Sequence, residues 1–339
     1  MKIIINEQLE NVAPDCLKES DVNVFFSESA VKLFKKEGVK FLYLSSNQYV
    51  VPLTITKKGP FVYGHLCSEP ALIRKGNESY KSFLDAVCQT LRKQFKVQWI
   101  NQTSAESFFM EYPTGSQHIP FGSHVIDLSL DEDSLWKNVH SKHRNVIKKA
   151  EKDGVVIECG RSQKLVEDYH SIDIDTWNRS NKSAATENHW KDLMETMGDN
   201  CVIYIAYLDG EPQSGAFFFY NNQMCYYMYG ANKNNPHIGS GNLLQWKAIL
   251  DMKERGVKKY SFVGCRINED ENSKYHGIQR FKERFGGELV QGYMFKIDFN
   301  PLMRKMFNLA VSIRTMKNSL KYVPSKDVID QEIHKWPQQ

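Results

Sequence analysis

The feature that most constrains the fold is a weak internal repeat. In its first copy, residues 49–55 are rich in β-branched and apolar side chains, turn at Lys58-Gly59-Pro60, and continue as Phe61-Val62-Tyr63-Gly64. A helical pattern follows over residues 80–95, then a short strand over 97–101. In the second copy, residues 215–220 meet an Asn221-Asn222 turn, then residues 224–229 and Gly230, a helical pattern over 242–255, and a strand over 259–263. Hairpin, glycine, helix and strand recur in one order, with about thirty residues between matching glycine and final strand, which predicts duplication of one α/β unit.

A chain of 339 residues is long enough for two such units. With 41% hydrophobic and 25% charged residues it is neither disordered nor fibrous. The longest apolar stretch, residues 201–208, falls far short of the ~20 residues a membrane span needs. The N-terminus, Met1-Lys2-Ile3-Ile4-Ile5-Asn6-Glu7, meets an acid too early for a signal peptide, so a cytoplasmic protein is expected. Seven cysteines (Cys16, Cys67, Cys88, Cys159, Cys201, Cys225, Cys265) without a Cys-x-x-Cys pair read as reduced thiols. There is no His-Glu-x-x-His, and the close pair His140 and His143 sits among lysines, so no metal site is expected. Gly-x-Ser-x-Gly, Walker A and a strand-linked Gly-x-Gly-x-x-Gly are also absent, which removes the easy routes to hydrolase, nucleoside triphosphatase and dehydrogenase.

Between the copies, residues 134–152 read as one amphipathic helix, with Leu135, Val139, Val146, Ile147 and Ala150 on one face and Gly154 as its C-terminal cap. The other face is basic, through Lys137, Lys142, Arg144, Lys148, Lys149 and Lys152, and is either a solvated face or one that meets phosphates. Two further helices, residues 164–179 and 189–197, carry Trp177 and Trp190, which are assigned to the core.

Two segments carry chemistry. After the strand ending at Tyr229 come Gly230-Ala231-Asn232, a polar loop, and Gly239-Ser240-Gly241-Asn242 at the start of a helix. Glycines there expose backbone N–H groups at the positive end of the helix dipole, a plausible anion cradle, against the plainer reading of a permissive loop. Tyr227, Tyr229 and Asn232 are candidate cleft residues by their place at the end of the central strand. The second segment is Tyr260-Ser261-Phe262-Val263-Gly264, then Gly277-Ile278-Gln279-Arg280-Phe281-Lys282-Glu283-Arg284-Phe285-Gly286-Gly287. Phe281 and Phe285 share a helical face, the glycines end the helix, and a strand follows over 288–295. Lys282 lies beside the buried face, where an ammonium either meets the helix dipole or stabilises developing negative charge.

Arg144-Asn145-Val146-Ile147-Lys148-Lys149-Ala150-Glu151-Lys152-Asp153-Gly154-Val155, Thr176-Trp177-Asn178-Arg179, and Phe281-Lys282 through Phe285-Gly286-Gly287 resemble the Fem family and its wider relatives, acyltransferases of the GNAT superfamily. The resemblance runs over about residues 135–299. It implies α/β (α+β) architecture: tandem GNAT-like domains, each a mixed twisted sheet flanked by helices, over residues 1–130 and 131–300, with a helical tail over 301–339. It also implies acyl transfer by direct attack of an amine, without a serine or cysteine nucleophile, onto a peptidoglycan precursor or an amino sugar. By motif match Lys282 is the catalytic residue, steadying donor or transition state. Gly239, Ser240, Gly241, Asn242 and Phe281 would bind the donor. Arg144, Lys148, Arg179, Tyr227, Tyr229 and Asn232 would bind the acceptor, near the junction of the domains.

No tightly bound cofactor is implied; the donor is aminoacyl-tRNA or acyl-CoA. Pro236 stands where many acetyl-CoA-dependent relatives carry Arg or Gln, and the charged helical arm of some bridge-building members is missing. A net charge of +4 is modest for RNA binding. The expected partners are a small or lipid-linked glycan or peptide acceptor, with tRNA as a further candidate and DNA excluded. An acyl-CoA-dependent N-acetyltransferase of polysaccharide synthesis and a non-catalytic scaffold are the alternatives. Residues 301–322 place Met303, Met306, Phe307, Ala310 and Ile313 on one side of a helix, among Arg304, Lys305, Arg314, Lys317 and Lys321. That side is expected to pack on the protein body, with docking at an anionic membrane as the alternative.

Overall fold

Alternating apolar strands and amphipathic helices give each half of the chain a sheet covered by helices. A computed structural model describes residues 1–12, 17–18, 21–267, 273–316 and 326–337; Cys16, Lys317, Lys321 and Tyr322 lie outside these. β1 (Ile4–Asn6) and α1 (Glu28–Phe34) precede β2 (Val39–Ser45), β3 (Tyr49–Lys58) and β4 (Phe61–Leu66), an antiparallel run in which β1 pairs with β2. The two-residue β5 (Ala71–Leu72) pairs with the start of β3. α2 (Tyr80–Gln94) then carries the chain over the sheet to β6 (Trp99–Ile100), parallel to β4, as a parallel pair requires a crossover. Its buried stripe, Phe83, Leu84, Val87 and Leu91, meets Leu42, Leu44 and Leu53 of the sheet.

β7 (Gln117–Asp127) leads into the second half, where α3 (Glu132–Asn138), α4 (Ser141–Lys152), β8 (Val156–Gly160), α5 (Gln163–Asn178) and α6 (Glu187–Met197) come first. β9 (Cys201–Leu208), β10 (Glu211–Tyr220) and β11 (Cys225–Asn232) follow, antiparallel to one another, with β8 against β9. α7 (Ser240–Glu254) crosses to β12 (Lys259–Ser261), parallel to β11. β13 (Cys265–Arg266), α8 (Lys274–Glu283), β14 (Glu288–Asp298), α9 (Pro301–Met316) and α10 (Val328–Glu332) complete the order. The repeat read from the sequence is therefore a repeat of topology: β2-β3-β4-α2-β6 matches β9-β10-β11-α7-β12.

The units are discontinuous in sequence, unlike the expected stretches 1–130, 131–300 and 301–339. One holds Met1–Phe26, Phe34–Gly122 and Gln291–Gln339; the other holds Ser27–Leu33 and Ser123–Val290. Strand pairing is the reason. Val125–Asp127 of β7 pair with β12 in the second unit, whereas Ile297 and Asp298 of β14 pair with Ile100 and Trp99 in the first. The tail is likewise part of the first unit: Phe307 packs against Trp99, Ile329 is buried with Ile119, Phe121 and Met294, and Lys296 pairs with Asp327 and Asp330.

In the second unit α7 and α4 cover one sheet face, burying Phe218, Cys225 and Tyr260 against Leu244, Ala248, Ile249 and Ile147. Burying such a side chain contributes roughly 1.5–3 kcal/mol. On the other face Phe217 packs with Tyr169 and Trp190, under α5 and α6. Trp190 is core as expected, but Trp177 stays 38% exposed and is not.

Two helical expectations change. Residues 134–152 are two helices, because Val139 is extended and His140 caps the second, its Nδ1 accepting from the Lys142 N–H. His140 N–H in turn donates to Arg284 O, a tertiary bond that no local pattern signals. Gly154, at φ +90°, ends α4 as anticipated. On α9, Phe307 packs inward, but Met306 and Ile313 are exposed, so the expected apolar side does not cover the body as a whole.

Candidate active site

The site begins where two parallel strands part. β11 and β12 pair only at Cys225↔Tyr260 and Tyr226↔Ser261; β11 then runs on to Asn232 while the other chain turns away. Val263 takes φ +41° and Gly264 φ +55°. A β-branched residue in that region costs roughly 1–3 kcal/mol, so its surroundings must impose it. Phe262 stacks on Phe285 and its N–H donates to His124 O, while Val263 N–H donates to Ser261 Oγ at 3.2 Å. The parting opens a cleft of about 750 Å³, lined by Tyr227, Met228, Val263, Ile278, Phe281 and Lys282, and by Asn232, His237, Gly239, Gly241, Asn242 and Gln245.

Lys282 reaches this cleft from α8 and is 8% exposed. Its ammonium donates to Val263 O and, at 3.0 Å, to Gly264 O; the left-handed turn aims both carbonyls at it. An ammonium has three protons, so one remains beyond these two bonds. Burial pushes the Lys282 pKa down to about 8. Phe281 lines the cleft beside it and meets Phe285 edge-on at 5.3 Å, as their four-residue spacing implies.

At the cleft's other end α7 starts at Gly239, with φ +93° and no side-chain cap. A Cβ here would collide with Val146 O and press on Ala150 at 3.2 Å, so Gly239 is demanded by its conformation and by the approach of α4. Gly241 differs: an added Cβ would meet only ordinary contacts at 3.6 Å and beyond. The first-turn amides of α7 lack intrahelical acceptors, as at every helix start, and Gly241 and Asn242 line the cleft. Ser240 does not line it; it is buried, and its Oγ donates to His237 O at 2.7 Å.

Tyr227 and Tyr229 do not face the same side. The register passes from Phe217↔Tyr229 to Phe218↔Tyr227, which leaves Met228 as a bulged extra residue. Tyr227 stacks on Phe218 and lines the cleft, where burial raises its pKa to about 12. Tyr229 packs with Trp190 and Phe219 beneath α5 and α6. Gly230 leaves the Tyr227 hydroxyl its place, since any Cβ there would overlap that oxygen.

The basic candidates serve structure. Arg144 donates to Trp136 O and Lys137 O at the end of α3. Lys148 is exposed, its Nζ 5.9 Å from the centre of the Trp136 ring. Arg179 donates to Lys233 O, Asn234 Oδ1 and Asn232 O, tying α5 to the loop after β11. None of the three lines the cleft. Asn232 does, and its Oδ1 accepts from Ser214 Oγ at 2.7 Å.

Two histidines hold the site together through long-range bonds that no local pattern signals. His143 is buried, which lowers its pKa, and its Nε2 bonds Phe281 O at 3.0 Å, docking α4 on α8. His237 lines the cleft, and its Nε2 lies 2.9 Å from Asp153 Oδ2, which also pairs with Lys149. This fastens the loop before α7 to the end of α4, across 84 residues of sequence.

The first unit closes the corresponding gap. Beyond Gly64↔Ile100, His65 Nε2 meets Ser104 Oγ at 3.3 Å and Glu69 accepts from Phe108 N–H and Asn23 Nδ2. α2 is capped by Ser79, whose side chain accepts from Ser82 N–H. Among the described residues, it is the second unit that sets a helix start without a side-chain cap beside parted strands.

Residues 137–283 match the Acetyltransferase (GNAT) domain family. This stretch resembles a GNAT acetyltransferase domain. It is 26% identical over 108 residues to the aminoacyltransferase FemA of Staphylococcus epidermidis, covering 31% of this chain and 25% of that protein. To the lipid II:glycine glycyltransferase of Staphylococcus haemolyticus it is 28% identical over 112 residues, 33% of this chain and 27% of the relative. The matched stretch thus spans about a quarter of these relatives. In fold, the chain superposes on the crystal structure of FemX with a TM-score of 0.66 at 12% identity, covering 90% of this chain and 99% of the other. It also superposes on the C-terminal domain of a putative lysylphosphatidylglycerol synthetase from Agrobacterium fabrum, with a TM-score of 0.56 at 12% identity, over 88% and 95% of the two chains.

Proposed function

We propose that this protein is an acyltransferase that moves an aminoacyl or acyl group onto an amine of a cell-envelope precursor. The observation that carries this reading is the convergence, in one cleft, of an uncapped helix start and a buried ammonium with a proton to spare. The donor's anionic portion would lie at Gly241 and Asn242, and its carbonyl toward Lys282. The acceptor nitrogen attacks that carbonyl, forming C–N and a transient oxyanion. Collapse breaks the bond to the leaving oxygen or sulfur, which gains a proton as the nitrogen loses one. Lys282, fixed by two carbonyls, supplies preorganised positive charge where the negative charge develops. Among the described residues no cysteine lines the cleft; Cys225 and Cys265 are buried, and burial pushes the Cys225 thiol pKa up.

Aminoacyl-tRNA is the donor favoured by the similarity to the two aminoacyltransferases. Acyl-CoA is the second reading, favoured by the Gly239-Ser240-Gly241 turn. Both are tested together by calorimetry with acetyl-CoA and CoA beside filter binding with charged and uncharged tRNA. Preference for charged tRNA, weakened in Lys282→Met, supports aminoacyl transfer; saturable CoA binding moves the reading to an N-acyltransferase. Binding of neither by the wild-type protein overturns the proposal in favour of a scaffold.

A further inference from the structure

α9 is anchored by one face and bare on another. Phe307 packs within 5.5 Å, centre to centre, of the rings of Phe61, Tyr63 and Trp99, and Arg304 pairs with Asp298 at 3.1 Å. These contacts set the rotation of the helix. On its outward side stand Leu302, Met306, Leu309 and Ile313, which are 67%, 49%, 61% and 50% exposed. Their steps of four, three and four residues place them along a single stripe. Leaving four large apolar side chains of one stripe in water is unfavourable unless something covers them.

Charge decides what fits. The helix sequence, PLMRKMFNLAVSIRTM, contains no acid. Lys305 and Arg314 are exposed and lie on the two flanks of the stripe, about 70° and 110° from its centre at 100° per residue. A second copy of the same helix would bring like charges together and offers no carboxylate to offset them. An anionic bilayer surface satisfies both features, taking the apolar stripe at the acyl boundary and the flanking cations at its headgroups.

We propose that α9 lies on the surface of a membrane containing anionic phospholipid, with Leu302, Met306, Leu309 and Ile313 inserted and Lys305 and Arg314 at the headgroups. No helix among the described residues is long and apolar enough to cross a membrane, so the contact is one of lying on rather than spanning. This holds the protein on the plane in which a lipid-linked acceptor would be presented.

The test is sedimentation of the full-length protein with vesicles of phosphatidylcholine alone and of phosphatidylcholine mixed with phosphatidylglycerol. The wild-type protein is expected to partition onto the mixed vesicles, and less so as salt is raised. Leu309→Asp should lower the partition coefficient by about tenfold or more on both compositions. Lys305→Gln and Arg314→Gln should each lower it by about fivefold on the anionic vesicles only. All these positions are exposed, so an unchanged thermal melt verifies that each variant is folded. Failure of the wild-type protein to sediment, or sedimentation indifferent to Leu309→Asp, overturns the proposal. So does a concentration-dependent dimer in light scattering that Leu309→Asp dissociates while vesicle binding is absent. The assay contains no acyl donor, so its failure leaves the transfer reading standing, and failure of donor binding leaves this one standing.

Discussion

Lys282 donates to the main-chain oxygen of Val263, and Val263 offers that oxygen only because its backbone is held at φ +41°. A lysine late in α8 and a strained turn after β12 are thus one device. The turn contributes acceptors that fix the ammonium, and the buried cleft makes its charge effective.

Replacing Lys282 by Met should lower kcat/KM by about 10²–10³-fold, the usual effect of removing one preorganised donor. The folded protein should survive, because the variant removes a buried charge that α8 does not need. Single-turnover transfer rates, read beside a thermal melt, check both halves of this expectation.

The same residue sets a pH dependence. Its pKa is about 8 in the folded protein against an ordinary 10.5, so between those values the unfolded chain binds the extra proton. Stability due to this group therefore rises with pH across that window, by up to about 3 kcal/mol, and is flat below it. The difference between wild type and Lys282→Met in denaturant titrations at pH 7 and pH 10 should show it. Transfer activity has the opposite trend, falling above about pH 8 as the ammonium is lost.

The two glycines of the α7 start should behave differently. Gly239→Ala should destabilise by at least about 2 kcal/mol, since a left-handed backbone and a collision with Val146 O both oppose it. Gly241→Ala should fold normally and weaken donor binding. Melting temperature and donor titration on both variants separate structural from binding roles.

Gly230 and Tyr227 should be coupled. Gly230→Ala pushes the Tyr227 hydroxyl from its place, and adding Tyr227→Phe removes the obstructed oxygen. The double variant should recover stability relative to Gly230→Ala alone, with a coupling of about 0.5–3 kcal/mol in a double-mutant cycle.

Arg179→Ala should loosen the loop after β11 and cost about 1–3 kcal/mol of stability, because three acceptors lose a charged donor. The acceptor KM of Arg144→Ala should stay near the wild-type value, since Arg144 caps α3 outside the cleft. Steady-state kinetics with varied acceptor would detect a direct contact by either arginine.

Much was legible in the residues alone. Period-two and period-3.6 patterns located the hairpins, α2 and α7, and their recurrence disclosed a repeated unit, because those signals depend on neighbours within a few residues. The four-residue spacing of Phe281 and Phe285 and the glycines behind them placed Lys282 at the buried end of a helix for the same reason. The glycines before α7 likewise marked an uncapped helix start.

What only the tertiary structure decided depends on partners far apart in sequence. The arginines of α4 and α5 look like ligand-holding cations in a one-dimensional reading, yet their acceptors are carbonyls at Trp136 and Lys137 and, across more than fifty residues, in the loop after β11. A single bulge at Met228 turns Tyr227 and Tyr229 to opposite faces, although alternation assigns them to one. The pairing of β7 with β12 and of β14 with β6 makes the units discontinuous, since strand registers are chosen by hydrogen bonds between distant segments. The sequence by itself determined which elements form and which residue types stand at their ends; which of those residues meet in the cleft was decided by packing, where burial and long-range hydrogen bonds select among locally equivalent arrangements.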